Sequence, residues 1–292
     1  MLAVRLHTPG LEGLALDEIE TPQAKPGEAL VEVHAAAITR DEPDWPVDRL
    51  PAIPSHELSG VVAAVADDVQ GAEVGDEVYA LTPFDRDGVA AEYAVVPASV
   101  LAPKPSTLDH VASAAIPLAA LTAWQGLFDH GRLEAGERVL ITGAAGGVGH
   151  LATQLARWRG AHVIGTASRG GLDAARDFGA HEVIESLETL APVDLVFDTV
   201  GGELLRRSPA VLRPGGRLVS VAEPPDMEGI DAAYFVVEPN RDQLVEIARL
   251  ADEGALHPSV DSVYALSEAT AAFERNQARG KRGKVVLRVA GG

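Results

Sequence analysis

The fold is decided by the stretch Glu137-Arg138-Val139-Leu140-Ile141-Thr142-Gly143-Ala144-Ala145-Gly146-Gly147-Val148-Gly149, which continues as HLATQLARWR over residues 150–159. Val139–Ile141 form a short apolar run, which is typical of a strand buried on both faces. Glycines follow, and then apolar side chains recur at helical spacing. The pattern therefore predicts a strand, a tight turn and a helix.

A turn of this composition can hold a dinucleotide. Glycine has no Cβ, so a pyrophosphate can reach main-chain N–H groups there, and the helix that follows presents the positive end of its dipole. The spacing is Ala144-x-Gly146-x-x-Gly149, with alanine in place of the first glycine of the usual fingerprint. A tight connection that binds nothing is the alternative, but the flanking strand and helix favour the dinucleotide site.

The composition bounds the class of protein. The 292 residues suffice for two domains, and 47% of them are hydrophobic, as in soluble globular proteins. No apolar run reaches the roughly 18–20 residues that span a bilayer, and residues 1–6 lack the layout of a signal peptide, so we expect a cytoplasmic protein. The net charge of −19 argues against nucleic acid or an anionic membrane as a partner.

The chain divides into three regions by pattern. Residues 1–105 predict short strands separated by turns, whereas residues 106–256 alternate strand and helix, which predicts a parallel sheet with helices on both faces. The later part of this region predicts a helix over 203–212 and a strand over 233–237. From residue 257 short pieces return, which we expect to complete the first domain. The predicted domains are thus 1–105 with 257–292, and 106–256.

Further motifs accompany the glycine turn and reveal a resemblance. They are GEALVEV at 27–33, IPSHELSGVV at 53–62, VGDEVY at 74–79, LTAW at 121–124, QLA at 154–156, FDTVGG at 197–202, LRPGG at 212–216 and GKVVL at 283–287. With these motifs the chain resembles the medium-chain dehydrogenase/reductase superfamily, in its zinc-free quinone oxidoreductase (zeta-crystallin-like) branch, over nearly its whole length.

The resemblance implies an architecture and an activity. The fold class would be α/β: a Rossmann doubly wound parallel sheet plus a GroES-like, mostly-β catalytic domain built from both chain ends. It also implies a nicotinamide cofactor in a cleft between the domains, a small carbonyl or quinone substrate and a homodimer.

Two departures concern the catalytic region. The alcohol dehydrogenases of the superfamily hold catalytic zinc with ligands that include cysteine, and this chain has no cysteine. His56 occupies the position of a ligand histidine without its partners, so we expect no metal and interpret His56 as a structural hydrogen-bonding residue. The loop from Thr39 to Trp45 replaces the family's Asn-Pro-x-Asp stretch, with Thr39 in the place of the asparagine.

The residues that follow the second strand of the alternating region indicate which nicotinamide cofactor binds. An NAD site needs an acidic residue there to accept from the ribose 2′-OH, but the chain reads Gly165-Thr166-Ala167-Ser168-Arg169 and then no carboxylate until Asp173. Arg169 can pair with a 2′-phosphate and Ser168 can donate a hydroxyl, so we predict NADPH. The alternative is that Arg169 is a solvated loop residue.

Other cofactor contacts follow from position and resemblance. Residues after parallel strands face the ligand crevice, and the resemblance adds a helix position and a late strand. The predicted cofactor-binding residues are Thr122, Ala144, Ala145, Gly146, Gly147, Val148, Gly149, Ser168, Arg169, Thr199, Val200, Gly201, Val221, Ala222, Phe235, Val236 and Val237.

Catalysis without a metal needs hydrogen-bond donors to polarise a carbonyl. Thr39, Arg40 and His56 are the candidate donors, and Asp41 is the candidate acid of the cluster Asp41, Glu42 and Asp44, in which one raised pKa would supply a proton. Solvated loop acids are the alternative interpretation.

The sequence predicts an NADPH-dependent oxidoreductase that transfers a hydride to a quinone or an α,β-unsaturated carbonyl without zinc. An NADPH-dependent aldehyde or ketone reductase and a catalytically silent NADPH-binding sensor are the alternatives.

Overall fold

A computed structural model of the chain describes residues 1–46, 49–188 and 190–290. These residues form fifteen strands and seven α-helices. The strands are β1 Leu2–Leu6, β2 Leu14–Glu18, β3 Glu28–Ile38, β4 Glu57–Val65, β5 Glu77–Leu81, β6 Tyr93–Pro97, β7 Ala102–Pro103, β8 Arg138–Ile141, β9 His162–Thr166, β10 Glu182–Ile184, β11 Val193–Asp198, β12 Leu212–Ser220, β13 Asp231–Tyr234, β14 Val260–Ala265 and β15 Lys284–Arg288. The helices are α1 His110–Ala114, α2 Pro117–Trp124, α3 Gly149–Trp158, α4 Leu172–Asp177, α5 Gly202–Arg207, α6 Arg241–Asp252 and α7 Ala269–Gln277.

The described chain forms two compact units. Unit 1 contains Met1–Leu118, Glu238–Glu253 and Pro258–Gly292, and unit 2 contains Ala119–Val237 and Gly254–His257. The sequence prediction divides the chain at 105/106 and 256/257 instead. Two segments account for the difference: α1 packs on β3 and β4 of unit 1, and the Tyr79 hydroxyl donates to the Leu244 carbonyl of α6.

Unit 2 is built on a six-stranded sheet in the order β10-β9-β8-β11-β12-β13. Every strand pair in it is parallel. The two central strands are apolar because both faces are covered by helices, and β11 is buried along its whole length. This is the doubly wound order, with its reversal between β8 and β11, so the predicted Rossmann-type sheet is confirmed.

Unit 1 is mainly antiparallel. Its seven-stranded sheet runs β14-β15-β3-β4-β5-β7, with β6 also pairing with β3, and β1 and β2 form a separate ribbon. The late strand β15 returns from the end of the chain to pair with Ala35–Ile38 of β3. Alternation of buried and exposed residues in β3 stops there, because α1 and α7 cover the two faces of this end.

Two predicted elements differ from the structure. The predicted helix 203–212 ends early: α5 stops at Arg207, a 3₁₀ turn Ser208–Val211 contains Pro209, and β12 begins at Leu212. The predicted strand 233–237 is shifted, since β13 covers Asp231–Tyr234. None of the helices formed by the described residues is long and apolar enough to cross a membrane.

Candidate functional site

The glycine turn of unit 2 is shaped for close approach to the backbone. Gly143 has a φ of +70°, and the Gly146 N–H donates to its carbonyl oxygen at 2.8 Å. A Cβ at Gly149 would lie only 2.1 Å from that oxygen. Helix α3 begins at Gly149, and no side chain of the described residues caps its N-terminus. The positive end of the helix therefore remains available to an anion.

The structure brings most predicted cofactor residues to one edge of the sheet. The strands of unit 2 are parallel, so the residues that follow them lie at a common carboxyl end. Those residues are Ser168 and Arg169 after β9, Thr199–Gly201 after β11, Val221 and Ala222 after β12, and 235–237 after β13. Because β13 ends at Tyr234, the last three extend from the strand instead of lying within it.

Thr122 lies elsewhere in unit 2, buried on helix α2. Phe235 is also largely buried, with its ring stacked on His130 at a centroid distance of 4.3 Å. Val200 and Val236 are instead 55% and 60% exposed. Large apolar side chains are usually buried, so these two offer surface to an apolar ligand group.

Arg169 lies on a short 3₁₀ turn directly after β9, and its side chain is 90% exposed. Its contact with Glu185 measures 3.7 Å between Nε and Oε2. An exposed pair of this kind contributes little energy, so the guanidinium is free to engage a phosphate. Ser168 beside it is also exposed.

Asp198 is a buried polar residue at this edge of the sheet that the sequence analysis did not select. Its carboxylate is fully buried at the end of β11 and accepts from the Thr142 hydroxyl at 2.6 Å, and from the Gly201 N–H and the Ser220 hydroxyl at 3.0 Å. These bonds join the ends of β8, β11 and β12. An acidic residue that closes the apolar run of β11 was the available signal.

Asp198→Ala is expected to weaken dinucleotide binding and the fold together. The change leaves two buried hydroxyls and one N–H without an acceptor, at a cost of about 1–3 kcal/mol each before relaxation. We expect the dissociation constant to rise about tenfold or more and the melting temperature to fall. Calorimetric titration and thermal unfolding check both effects, and an unchanged affinity would contradict the positioning role.

In unit 1, the loop after β3 is held by the end of the chain. The Ile38 carbonyl accepts from Asn276 Nδ2 and Lys284 Nζ, each at 3.2 Å. The Arg40 guanidinium donates to the Gln277 carbonyl at 3.3 Å. Helix α7 and strand β15 thereby fix the start of the segment that carries Thr39.

Lys284 also forms a buried ion pair. Its ammonium contacts Glu57 Oε1, and the two residues are 4% and 0% exposed. The other carboxylate oxygen of Glu57 accepts from the Leu118 N–H at 3.0 Å. The pair therefore joins β4 to β15 within unit 1.

His56 is a neutral imidazole. Burial lowers its pKa to about 4, and nearby acceptors and carboxylates only partly oppose this. Its Nδ1 lies 3.2 Å from the Thr82 hydroxyl, which donates to the His56 carbonyl at 3.1 Å. The ring packs against Trp45 and Phe84, with centroid distances of 6.3 and 5.0 Å. His56 is thus held in place by hydrogen bonds and ring packing, and it is not a cationic donor at neutral pH.

The other predicted catalytic residues differ in exposure. Arg40, Asp41 and Asp44 are exposed, whereas Glu42 is only 5% exposed. Thr39 is partly exposed, but its Oγ1 is buried without a hydrogen-bond partner among the described residues. The acid that the loop encloses is therefore Glu42 and not Asp41.

The residues around His56 do not fit a zinc site. Zinc ligands are cysteine, histidine and carboxylate groups that converge on one point. Within residues 1–46, 49–188 and 190–290, no group of three such side chains is placed to hold a metal ion. The chain also lacks cysteine.

Comparisons with known proteins cover both units. Residues 25–106 match the alcohol dehydrogenase GroES-like domain, which confirms the predicted GroES-like part, and residues 178–287 match a family described as zinc-binding dehydrogenase. A probable zinc-binding oxidoreductase from mitochondria of Arthroderma benhamiae is 33% identical, over 92% of this chain and 90% of the relative.

Two further relatives are similar over most of their length. The NADPH-dependent alkenal/one oxidoreductase of Arabidopsis thaliana chloroplasts is 32% identical, over 95% of this chain and 76% of the relative. The solved quinone oxidoreductase from Coxiella burnetii has a TM-score of 0.92 at 30% identity, over 99% of both chains. With its doubly wound sheet, glycine turn and GroES-like part, the chain is an oxidoreductase that uses a nicotinamide cofactor, and it belongs to the medium-chain dehydrogenase/reductase superfamily, in its zinc-free quinone oxidoreductase-like branch.

Proposed function

We propose that the protein is an NADPH-dependent reductase of quinones or α,β-unsaturated carbonyls that works without zinc. The observation that carries the cofactor choice is the exposed Arg169 directly after β9, where an NAD site needs a carboxylate. A guanidinium pairs in a fork with phosphate oxygens. When bound, the cofactor supplies the hydride, and the chain binds and orients the reactants.

The substrate class is supported by aromatic surface in unit 1. Trp45 and Phe84 are partly exposed and meet edge to face, with ring centroids 5.5 Å apart. Planar apolar molecules pack well on such rings. Two relatives also have names that specify alkenal/one or quinone reduction.

The cofactor choice is tested with Arg169→Ala. Loss of a charge-assisted phosphate contact is expected to weaken NADPH binding about 10- to 100-fold and to leave NADH binding nearly unchanged. The measurement is calorimetric titration of both cofactors. Arg206→Ala on helix α5 is the control, since this exposed arginine pairs with Glu203 of the same helix. Equal losses for both cofactors, or no loss for NADPH, would count against the assignment.

Activity is tested by following NADPH oxidation with a panel of quinones, enones, aldehydes and ketones. Reduction of quinones or of the C=C bond supports the proposal. Alcohol formation from aldehydes or ketones would favour the second candidate, a carbonyl reductase, for which the alcohol dehydrogenase-like domain of unit 1 is the observation. Tight NADPH binding without turnover would indicate a sensor. We further propose that the enzyme acts in the cytoplasm and that it forms a homodimer. Sedimentation of the purified protein tests the homodimer, and fractionation of the source cells tests the location.

A further inference from the structure

Glu42 is a buried carboxyl group in the loop that follows β3. It begins the short 3₁₀ turn Glu42–Asp44, and its Oε2 accepts from the Thr39 N–H at 2.9 Å. Its Oε1 is buried and, within the part of the chain that the structure describes, has no hydrogen-bond partner. A buried carboxylate oxygen without a partner is costly, whereas a protonated carboxyl avoids the buried charge.

The charges around Glu42 do not keep it ionised. Burial is the main cause that raises its pKa, the carboxylates of Glu57 and Asp41 act in the same direction, and the resulting pKa is about 8. The Thr39 N–H on its own loop and the Lys284 ammonium from β15 act in the opposite direction. The Lys284 ammonium already forms an ion pair with Glu57, so its ability to stabilise an ionised Glu42 is limited. At neutral pH the folded protein therefore holds a proton on Glu42.

The pKa of Glu42 is thus higher than the pKa of His56, whereas a carboxyl group ordinarily has a lower pKa than an imidazole. His56 in the same unit is neutral because burial lowers its pKa to about 4. Of the candidate donors in the loop, Glu42 is the one that carries an acidic, transferable proton.

Resting on the function proposed above, we propose that Glu42 supplies the proton that completes reduction of the substrate. Hydride transfer brings two electrons to the substrate and leaves an enolate, phenolate or alkoxide. The O–H bond of Glu42 then breaks, and a new O–H or C–H bond forms on that anion. Glu42 is neither oxidised nor reduced, and its carboxylate takes a proton from water before the next cycle.

The first test is kinetic and uses Glu42→Gln. The amide keeps an oxygen for the Thr39 N–H but cannot act as an acid. General acid catalysis contributes about 10²- to 10⁴-fold, so kcat with a quinone or enone is expected to fall by about 10² or more. The wild-type kcat is expected to decline above about pH 8 as Glu42 ionises. The pH profile of kcat in the variant should lack this alkaline limb. Glu12→Gln, an exposed carboxylate on the turn Leu11–Gly13, is the matched control.

The second test needs no substrate or cofactor. Infrared difference spectra of the free protein between about pH 6 and pH 9 should contain a protonated-carboxyl band that Glu42→Gln removes. Unfolded Glu42 ionises near its ordinary pKa of 4.5 and the folded form near 8, so unfolding releases a proton between these values. Stability should therefore fall as pH rises through this window, and the variant should lack this contribution.

The outcomes separate the two proposals. Loss of kcat, of the alkaline limb and of the carboxyl band supports Glu42 as the proton source. An unchanged kcat and profile in Glu42→Gln would overturn that role, even if the band is present. Absence of the band would overturn it as well. No turnover by the wild-type enzyme with any substrate would overturn the proposed function and this role with it, and the infrared result would then show only the protonation state.

Discussion

Gly149→Ala is expected to weaken binding of a nicotinamide dinucleotide strongly. The new Cβ would lie 2.1 Å from the Gly143 oxygen, 2.7 Å from the Gly143 carbonyl carbon and 2.9 Å from Ala144 Cα. All three are backbone atoms, so no side chain can rotate away. The turn must open, which moves the start of α3 and the N–H groups that would receive the pyrophosphate.

The expected loss of dinucleotide affinity is large because the free-energy cost of strain adds to that of the lost phosphate contacts. Overpacking costs about 1–3 kcal/mol, and displaced phosphate contacts cost more, so we expect the dissociation constant to rise at least about 100-fold. Gly146→Ala is the graded comparison, since its Cβ would meet only the Gly143 oxygen at 3.1 Å. Calorimetric titration and thermal unfolding of both variants provide the measurement. Wild-type affinity in Gly149→Ala would contradict the role of the turn.

Lys284→Met is expected to cause the largest loss of stability. It leaves Glu57, which is fully buried, without its cation, and removes a donor from the Ile38 carbonyl. Breaking a buried pair by removing one partner typically costs about 3–5 kcal/mol. The melting temperature and the denaturant midpoint should both fall clearly.

Two further variants show whether the buried charge is the cause. Glu57→Leu combined with Lys284→Met removes both charges, so it should recover much of the lost stability. Arg249→Met removes an arginine that pairs with Glu246 and Glu253 on the surface of α6, and it should change stability little. Similar losses in Lys284→Met and Arg249→Met would show that burial of the pair does not matter.

The sequence predicted the parts of the fold that depend on local pattern. The run Val139–Ile141 and the glycines after it predicted β8, the turn and α3, because a short apolar run and the backbone freedom of glycine can be recognised locally. The edge strand β13 was placed too late, since apolar residues also continue beyond its end at Phe235 and Val237. Apolar composition does not show where strand pairing stops.

The candidate site was less predictable where it depends on distant contacts. Acids in a proline-rich loop look equally solvated in sequence, yet Glu42 is buried and Asp41 is exposed. The start of this loop is held by Asn276 and Lys284, which are more than 230 positions away and bind the Ile38 carbonyl. Asp198 was missed for a similar reason, because its partners Thr142 and Ser220 come from neighbouring strands.

Calorimetric titration of the purified protein with NADPH and with NADH tests the cofactor assignment most directly. We predict one-site binding of NADPH that is at least about tenfold tighter than binding of NADH, since Arg169 pairs with the 2′-phosphate. Binding of neither cofactor, or tighter binding of NADH, would contradict it.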